Sequence, residues 1–166
     1  MDTTAESVDL DAFKEAMARF ASGVTVVTTV DADGQRWGFT ASAFCSVSVD
    51  PPLVLACLAT AADCHPAFEA TEHFAVNVLG QDDEDLAMTF ASKGVDKFAA
   101  APFVSHHETG VPVLQHALTS IVCRLRDRHA AGDHDILVGE ALEIRLGERG
   151  APLCYFDRGF WELVGD

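Results

Sequence analysis

Strand-like runs recur along this 166-residue chain, several of them joined by short turns. Val24–Val30 is rich in β-branched residues, and Asp31-Ala32-Asp33-Gly34 supplies a turn back into Gln35–Phe39. Leu118–Arg128 and Asp135–Leu146 alternate on either side of Ala130-Ala131-Gly132-Asp133. Leu53–Leu58 is an apolar strand that must begin at Pro51-Pro52, and His73–Leu79, Pro152–Phe156 and Phe160–Val164 read as further strands. Parallel neighbours need crossovers of about a dozen residues or more, so the runs joined by the short turns at 31–34 and 130–133 predict antiparallel pairs. The predicted fold is therefore mainly β with short helices: a closed β-barrel and not a doubly wound parallel sheet. No repeat, low-complexity tract or linker interrupts residues 1–166, which read as one domain.

Helical periodicity is confined to short stretches. Leu10, Phe13, Met17 and Phe20 recur at steps of three and four and predict a helix from about Asp9 to Ala21, laid over the core. Ser7 or Asp9 can cap its start, and Gly23 is a natural stop. His65–Ala70 predicts a short helix. Asp82–Ala91 predicts another, with acidic residues at its dipole-favoured start and Leu86 and Phe90 inward. Val95–Gly110 reads as loop.

Charge narrows the function. Eleven Lys and Arg stand against 26 Asp and Glu, a net −15. No basic block exists to meet a nucleic-acid backbone or an anionic membrane. The longest uncharged apolar segment, Pro51–Ala62, is too short to span a bilayer, and the amino terminus carries no signal-peptide pattern. The five cysteines, at 45, 57, 64, 123 and 154, are odd in number and include no Cys-x-x-Cys pair. Neither a disulfide framework nor a structural zinc site is indicated, and a reducing cytoplasm is the simplest home.

The chain has no Gly-x-Gly-x-x-Gly, no phosphate loop of the Walker type, no His-Glu-x-x-His and no Gly-x-Ser-x-Gly. His106-His107 and His129/His134 are the only close histidine pairs, and neither has ligands at recognisable metal-site spacing, so no metal is expected. The segment Gly38–Pro52 is more informative. Thr40, Ser42, Ser46, Ser48 and Asp50 share one parity, and Ala41, Ala43, Cys45, Val47 and Val49 share the other. Such a row is either the wet face of a strand or a cradle for phosphate and polyol, with Phe44 marking a bulge or bend. Lys93 and Lys97, just past a helix end, are either ordinary surface lysines or the cations such a cradle needs. Gly132-Asp133-His134-Asp135 is either a polar turn or a histidine oriented by a neighbouring carboxylate. Cys57, in an apolar strand, reads as core.

Taken together, Ala21–Thr28, Gly38–Pro52, Phe74–Leu79, Asp96-Lys97-Phe98 and Gly132–Glu140 resemble the flavin reductase-like family over about Phe13–Leu163. These are short NAD(P)H:flavin oxidoreductases that feed reduced flavin to a partner flavin-dependent monooxygenase. The likeness is greatest to those serving aromatic polyketide pathways or phenol hydroxylation. It implies an FMN-binding split barrel that forms a homodimer, with FMN as first choice, FAD possible, and NADH or NADPH as hydride donor. By position, Thr40, Ala41, Ser42, Ala43 and Ser46 would line the ribityl and phosphate side of the flavin. Cys57 and Leu58 would border its ring. Phe90, Ala91, Ser92 and Lys93 would close the phosphate end, helped by Lys97. His134 matches the family's Gly-Asp-His histidine and would meet the nicotinamide; Tyr155 falls near a terminal aromatic position. Many members carry Asn where this chain has Ser42. A non-catalytic flavin-binding module, an oxidase of the pyridoxamine-phosphate oxidase type and an interaction domain with no cofactor are the alternatives.

Overall fold

The computed structural model describes residues 7–165. Its elements in chain order are α1 (Leu10–Ala18), β1 (Ser22–Gly23), β2 (Thr25–Val30), β3 (Arg36–Ala41), β4 (Phe44–Val49), β5 (Pro52–Ala59), α2 (His65–Ala70), β6 (His73–Val78) and α3 (Glu84–Ala91). A 3₁₀ turn (Lys97–Ala99), β7 (Phe103–Ser105), β8 (Pro112–Leu114), β9 (Thr119–Ala131), β10 (His134–Leu146), β11 (Leu153–Phe156) and β12 (Gly159–Glu162) complete the chain.

Seven strands form one antiparallel sheet in the order β3-β2-β6-β9-β10-β5-β4. The two edge strands are consecutive in sequence, with only Ser42 and Ala43 between them. Laid flat, the edges would stand six strand spacings apart, roughly 29 Å. Three Cα steps, from Ala41 to Phe44, reach at most about 11 Å. The sheet must therefore curl until its edges approach. The bend falls beside Phe44, and a register shift follows between Ser46 and Ser48.

Apolar side chains pack on both faces of the curled sheet, adjacent Val26 and Val27 pointing to opposite sides. Val27, Phe39, Ala56, Leu58, Phe68, Phe74, Val76 and Leu137 form one cluster; Val24, Val26, Leu79, Leu86, Phe90, Leu114 and Leu153 form a second under α3. Asn77, fully buried, joins four strands: Nδ2 donates to the Val26 carbonyl (3.0 Å), and Oδ1 accepts from Leu114 N–H (3.0 Å) and Ser120 Oγ (2.8 Å). Its polar atoms are satisfied, as burial requires. Gly38 lets α3 close over β3, because a Cβ there would lie 2.7 Å from Phe90 Cε1.

Three expectations are corrected. Helix α1 forms and Asp9 caps it, its carboxylate accepting from Asp11 N–H (3.0 Å). It does not lie over the core: Leu10, Phe13, Met17 and Phe20 are 54–75% exposed. Periodicity reports a stripe but not what covers it. The helix ends at Ala18 on Arg19, not on Gly23, which joins strand β1. Finally, Val95–Gly110 is not all loop, since β7 pairs with β8. These strands are three residues long, too short to show alternation.

Candidate active site

The hydroxyl row of the sequence is not one continuous face. Its alternation is interrupted where the chain turns the corner from β3 to β4. Thr40 precedes the corner and lines a cleft; Ser46 follows it, exposed on β4 opposite Val54. Ala41 points into the core. Ala43 lies at the corner, where its carbonyl accepts from Cys57 N–H (3.0 Å) and ties the corner to β5.

The cleft has a volume of about 320 Å³. It brings together Thr40 from β3, Cys57 and Leu58 from β5, Phe90 and Ala91 from α3, Ser92, Lys93 and Lys97 from the following loop, and His134 from β10. A neighbouring hollow of about 280 Å³ shares Thr40 and Ala91 with it and adds Ser42 and Tyr155. Sequence reasoning missed Phe39, Ala59, Ala61, Ala62 and Asp63 in the wall. The available signal was a run of small residues between an apolar strand and the His65-Pro66 helix start.

Both lysines reach across the cleft to that small-residue turn. Lys93 Nζ donates to the Ala61 carbonyl (2.8 Å). Lys97 Nζ donates to the Gly38 carbonyl (3.1 Å) and lies 3.5 Å from Asp63 Oδ1. Nearby hydroxyls are directed elsewhere. Thr40 Oγ1 donates to the Ala87 carbonyl (2.6 Å) and Ser92 Oγ to the Met88 carbonyl (2.9 Å). An anion here would meet the lysine ammonium groups before the hydroxyl protons.

The β9–β10 turn supplies another part of the wall. Gly132 takes φ +67°, a left-handed conformation that glycine adopts at little cost. His134 Nδ1–H donates to Asp133 Oδ1 (2.7 Å), leaving Nε2 without this neighbour. That hydrogen bond, reinforced by the imidazole's charge, holds the Asp133 carboxyl below its usual range. Thr60 fixes the turn by donating both its N–H (3.0 Å) and its Oγ1 (3.1 Å) to the Asp133 carbonyl. Burial pushes the Cys57 thiol up, and Cys45 adds to the effect.

A second polar cluster lies elsewhere. His106, His107 and Glu143 hold potential ligand atoms within 4.8 Å of one another. Thr109 N–H donates to His106 Nδ1 (3.2 Å), so His106 Nε2 carries the proton given to Glu143 Oε2 (3.0 Å). Arg145 donates to the other Glu143 oxygen (2.6 Å). The carboxylate is thus engaged on both sides and ties His106 to β10.

Residues 17–163 match the model of the flavin reductase like domain. The chain belongs to the flavin reductase-like family. An actinorhodin polyketide dimerase of Streptomyces coelicolor is 46% identical over 95% of this chain and 88% of its own length. The NADH:riboflavin 5′-phosphate oxidoreductase of Streptomyces pristinaespiralis is 43% identical over 96% of this chain and 91% of its own. The reductase component of a 4-nitrophenol 4-monooxygenase/4-nitrocatechol 2-monooxygenase from Rhodococcus opacus is 40% identical over 96% and 84%. The solved NADH:FAD oxidoreductase of Streptomyces globisporus, in complex with NAD and FAD fragments, superposes with a TM-score of 0.89 at 32% identity, covering 98% of this chain and 99% of that one.

Proposed function

We propose that this protein is an NAD(P)H:flavin oxidoreductase that supplies reduced flavin to a partner monooxygenase. FMN is its preferred flavin and FAD an alternative, with NADH the first donor to test against NADPH. The observation that carries the reading is the cleft itself, where family-matched residues from five parts of the chain line one space with two ammonium groups on its rim. Its chemistry fits a flavin. Leu58, Phe39 and Phe90 give apolar wall for a ring, the small residues Ala59, Ala61 and Ala62 leave room beside backbone, and the lysines complement a phosphate.

Flavin, when bound, accepts the hydride of the nicotinamide and carries the redox chemistry. The protein's work is alignment. Lys93 and Lys97 hold the phosphate end. Backbone at Cys57 and Leu58 borders the ring. Asp133 keeps the His134 ring oriented, so that Nε2 can hydrogen-bond the nicotinamide side. Ser42 and Tyr155 line the continuation of the cleft. Ala41, Ala43 and Ser46 act through the corner that positions Thr40. No step requires a general acid from the chain.

The chain 1–166 works as one domain in the cytoplasm, folded as a split barrel and paired as a homodimer through the uncovered stripe of α1. Among the described residues no helix is long and apolar enough to cross a membrane. Adding NADH anaerobically to protein and oxidised FMN should bleach the flavin catalytically. His134→Ala should raise KM for NADH by about tenfold, the loss of one hydrogen bond in a low-dielectric site, while the Kd for FMN stays within about twofold. Flavin bound without bleaching would make the protein a binding module. Peroxide formed from a pyridoxamine phosphate substrate would make it an oxidase. Unchanged NADH turnover in His134→Ala would remove the histidine from the site.

A further inference from the structure

The wall of the main cleft contains a carboxylate. Asp63 ends the small-residue turn, and the residue at the cap position of α2 is its neighbour Cys64. Asp63 Oδ1 lies 3.5 Å from Lys97 Nζ, the ammonium that also donates to the Gly38 carbonyl (3.1 Å). The Lys97 side chain is 11% exposed against 37% for Asp63, so the lysine is the more withdrawn from water and the carboxylate the more open partner. Lys93 is held differently: its ammonium donates to a neutral group, the Ala61 carbonyl (2.8 Å).

A carbonyl satisfies an ammonium N–H and leaves its charge standing; a carboxylate satisfies the N–H and offsets the charge as well. With His134 counted neutral, the charged lining of the cleft is Lys93, Lys97 and Asp63, a net +1. At the Cys64 thiol, which burial raises, Lys97 acts to lower the pKa and Asp63 to raise it, so the two charges oppose each other at this turn. A phosphate monoester such as the tail of FMN carries close to −2 near neutral pH. Each phosphate of the FAD bridge carries a single charge, and riboflavin has no phosphate. The lining therefore matches one charge of an FMN tail and not both, and the shortfall comes from Asp63.

We propose that Asp63 is a specificity-determining residue, which competes with the flavin's terminal phosphate for Lys97 and so narrows the advantage of FMN over flavins whose tails carry less charge. The inference rests on the flavin reading of the cleft. Lys93 supplies the charge that any phosphate meets without a rival. Lys97 is released to a phosphate only at the expense of its contact with Asp63. The carboxylate also repels an anion brought to the same ammonium, a repulsive element of the kind by which sites discriminate between related ligands. Both effects grow with the charge on the tail and vanish for riboflavin.

Dissociation constants for FMN, FAD and riboflavin are measured by flavin fluorescence on the flavin-free protein, for the wild type, Asp63→Asn and Asp63→Glu. Asparagine keeps the shape of the side chain and an acceptor for Lys97, so the turn should fold unchanged. Asp63→Asn should tighten FMN about tenfold, the size expected of one unit charge acting on a dianion at a partly solvated rim, with FAD tightened less and riboflavin unchanged. Asp63→Glu keeps the charge and should keep the wild-type ratio of FMN to riboflavin affinity. An unchanged ratio in Asp63→Asn, or a ratio in Asp63→Glu that matches Asp63→Asn, would overturn the proposal. So would weaker FMN binding in Asp63→Asn, which would make Asp63 a residue that holds Lys97 in place for the phosphate. Equal tightening of FMN and riboflavin would also overturn it, by moving the effect away from the phosphate. If neither the wild type nor Asp63→Asn binds any of the three flavins, the flavin reading of the cleft falls and the role of Asp63 falls with it, a result distinct from flavins that bind with an unchanged ratio.

Discussion

Helices α1 and α3 are near equals in length and both carry an apolar stripe, but the stripes meet opposite fates. In α3, Leu86, Ala87 and Phe90 are buried against the sheet, with Gly38 of β3 allowing the approach. In α1 no residue is buried, and the helix is held mainly by its ends and by polar contacts with the β11–β12 turn: Asp157 N–H donates to the Ala18 carbonyl (2.8 Å) and Arg158 to Glu15 (3.0 Å). One stripe closes the fold of a single chain. The other stays uncovered, and Trp161 and Leu163 are exposed too, at 54% and 61%; the proposed homodimer would cover that stripe.

Truncating the same residue type in each helix would test this contrast most severely. Phe90→Ala should destabilise the protein by about 3–5 kcal/mol, read as a lower denaturation midpoint, because it empties a packed aromatic site. Phe13→Ala should cost the isolated chain far less. A large loss from Phe13→Ala in dilute, monomeric protein would show that α1 is covered within its own chain. Next in size, Phe13→Asp combined with Met17→Asp should shift sedimentation from dimer to monomer without unfolding the sheet. A dimer that persists would move the interface off α1. Removing the cap with Asp9→Ala should cost about 1 kcal/mol, seen as faster amide exchange in α1 alone.

The smallest effect is a pH dependence. The hydrogen bond from Arg158, aided by its charge, holds the Glu15 carboxyl below its ordinary value of 4.5. A carboxyl lowered in the folded state adds stability above the unfolded value, and that stability is lost as pH falls through the lower folded value. Acidification below about pH 4.5 should therefore loosen α1 from the β11–β12 turn, with exchange in α1 rising before exchange in α3. Glu15→Gln should abolish that difference. The thiols offer a separate check on the core. Burial pushes Cys64 up to about 11 and Cys123 to about 12, so at pH 8 neither should react with a thiol reagent in the native protein, whereas exposed Cys45 should.

Much of the fold was legible because turn chemistry is local. Asp31 accepts from Asp33, Gln35 and Trp37, so the hairpin announced by Asp-Ala-Asp-Gly forms around one carboxylate. The long β9–β10 pair and the His65-Pro66 helix were readable for the same reason. What escaped depended on distant partners. The cover of α1 is not encoded in its own spacing. The wall of small residues at 59–63 gains meaning only when Lys93 and Lys97 fold over it. The corner at Ser42-Ala43 separates residues that parity alone would keep together, which is why Ser46 lies apart from Thr40.

The double grip of Thr60 on the Asp133 carbonyl welds the histidine side of the cleft to the floor beneath it. The lysine side is fastened differently, by side-chain ammonium groups on a loop that turns at Gly94, where φ is +72°. A carrier that must surrender its cargo needs one wall that stays and one that yields. On the proposed function the lysine side would be the wall that yields and would hold the flavin's phosphate, so release would begin at the tail while the redox face kept its alignment.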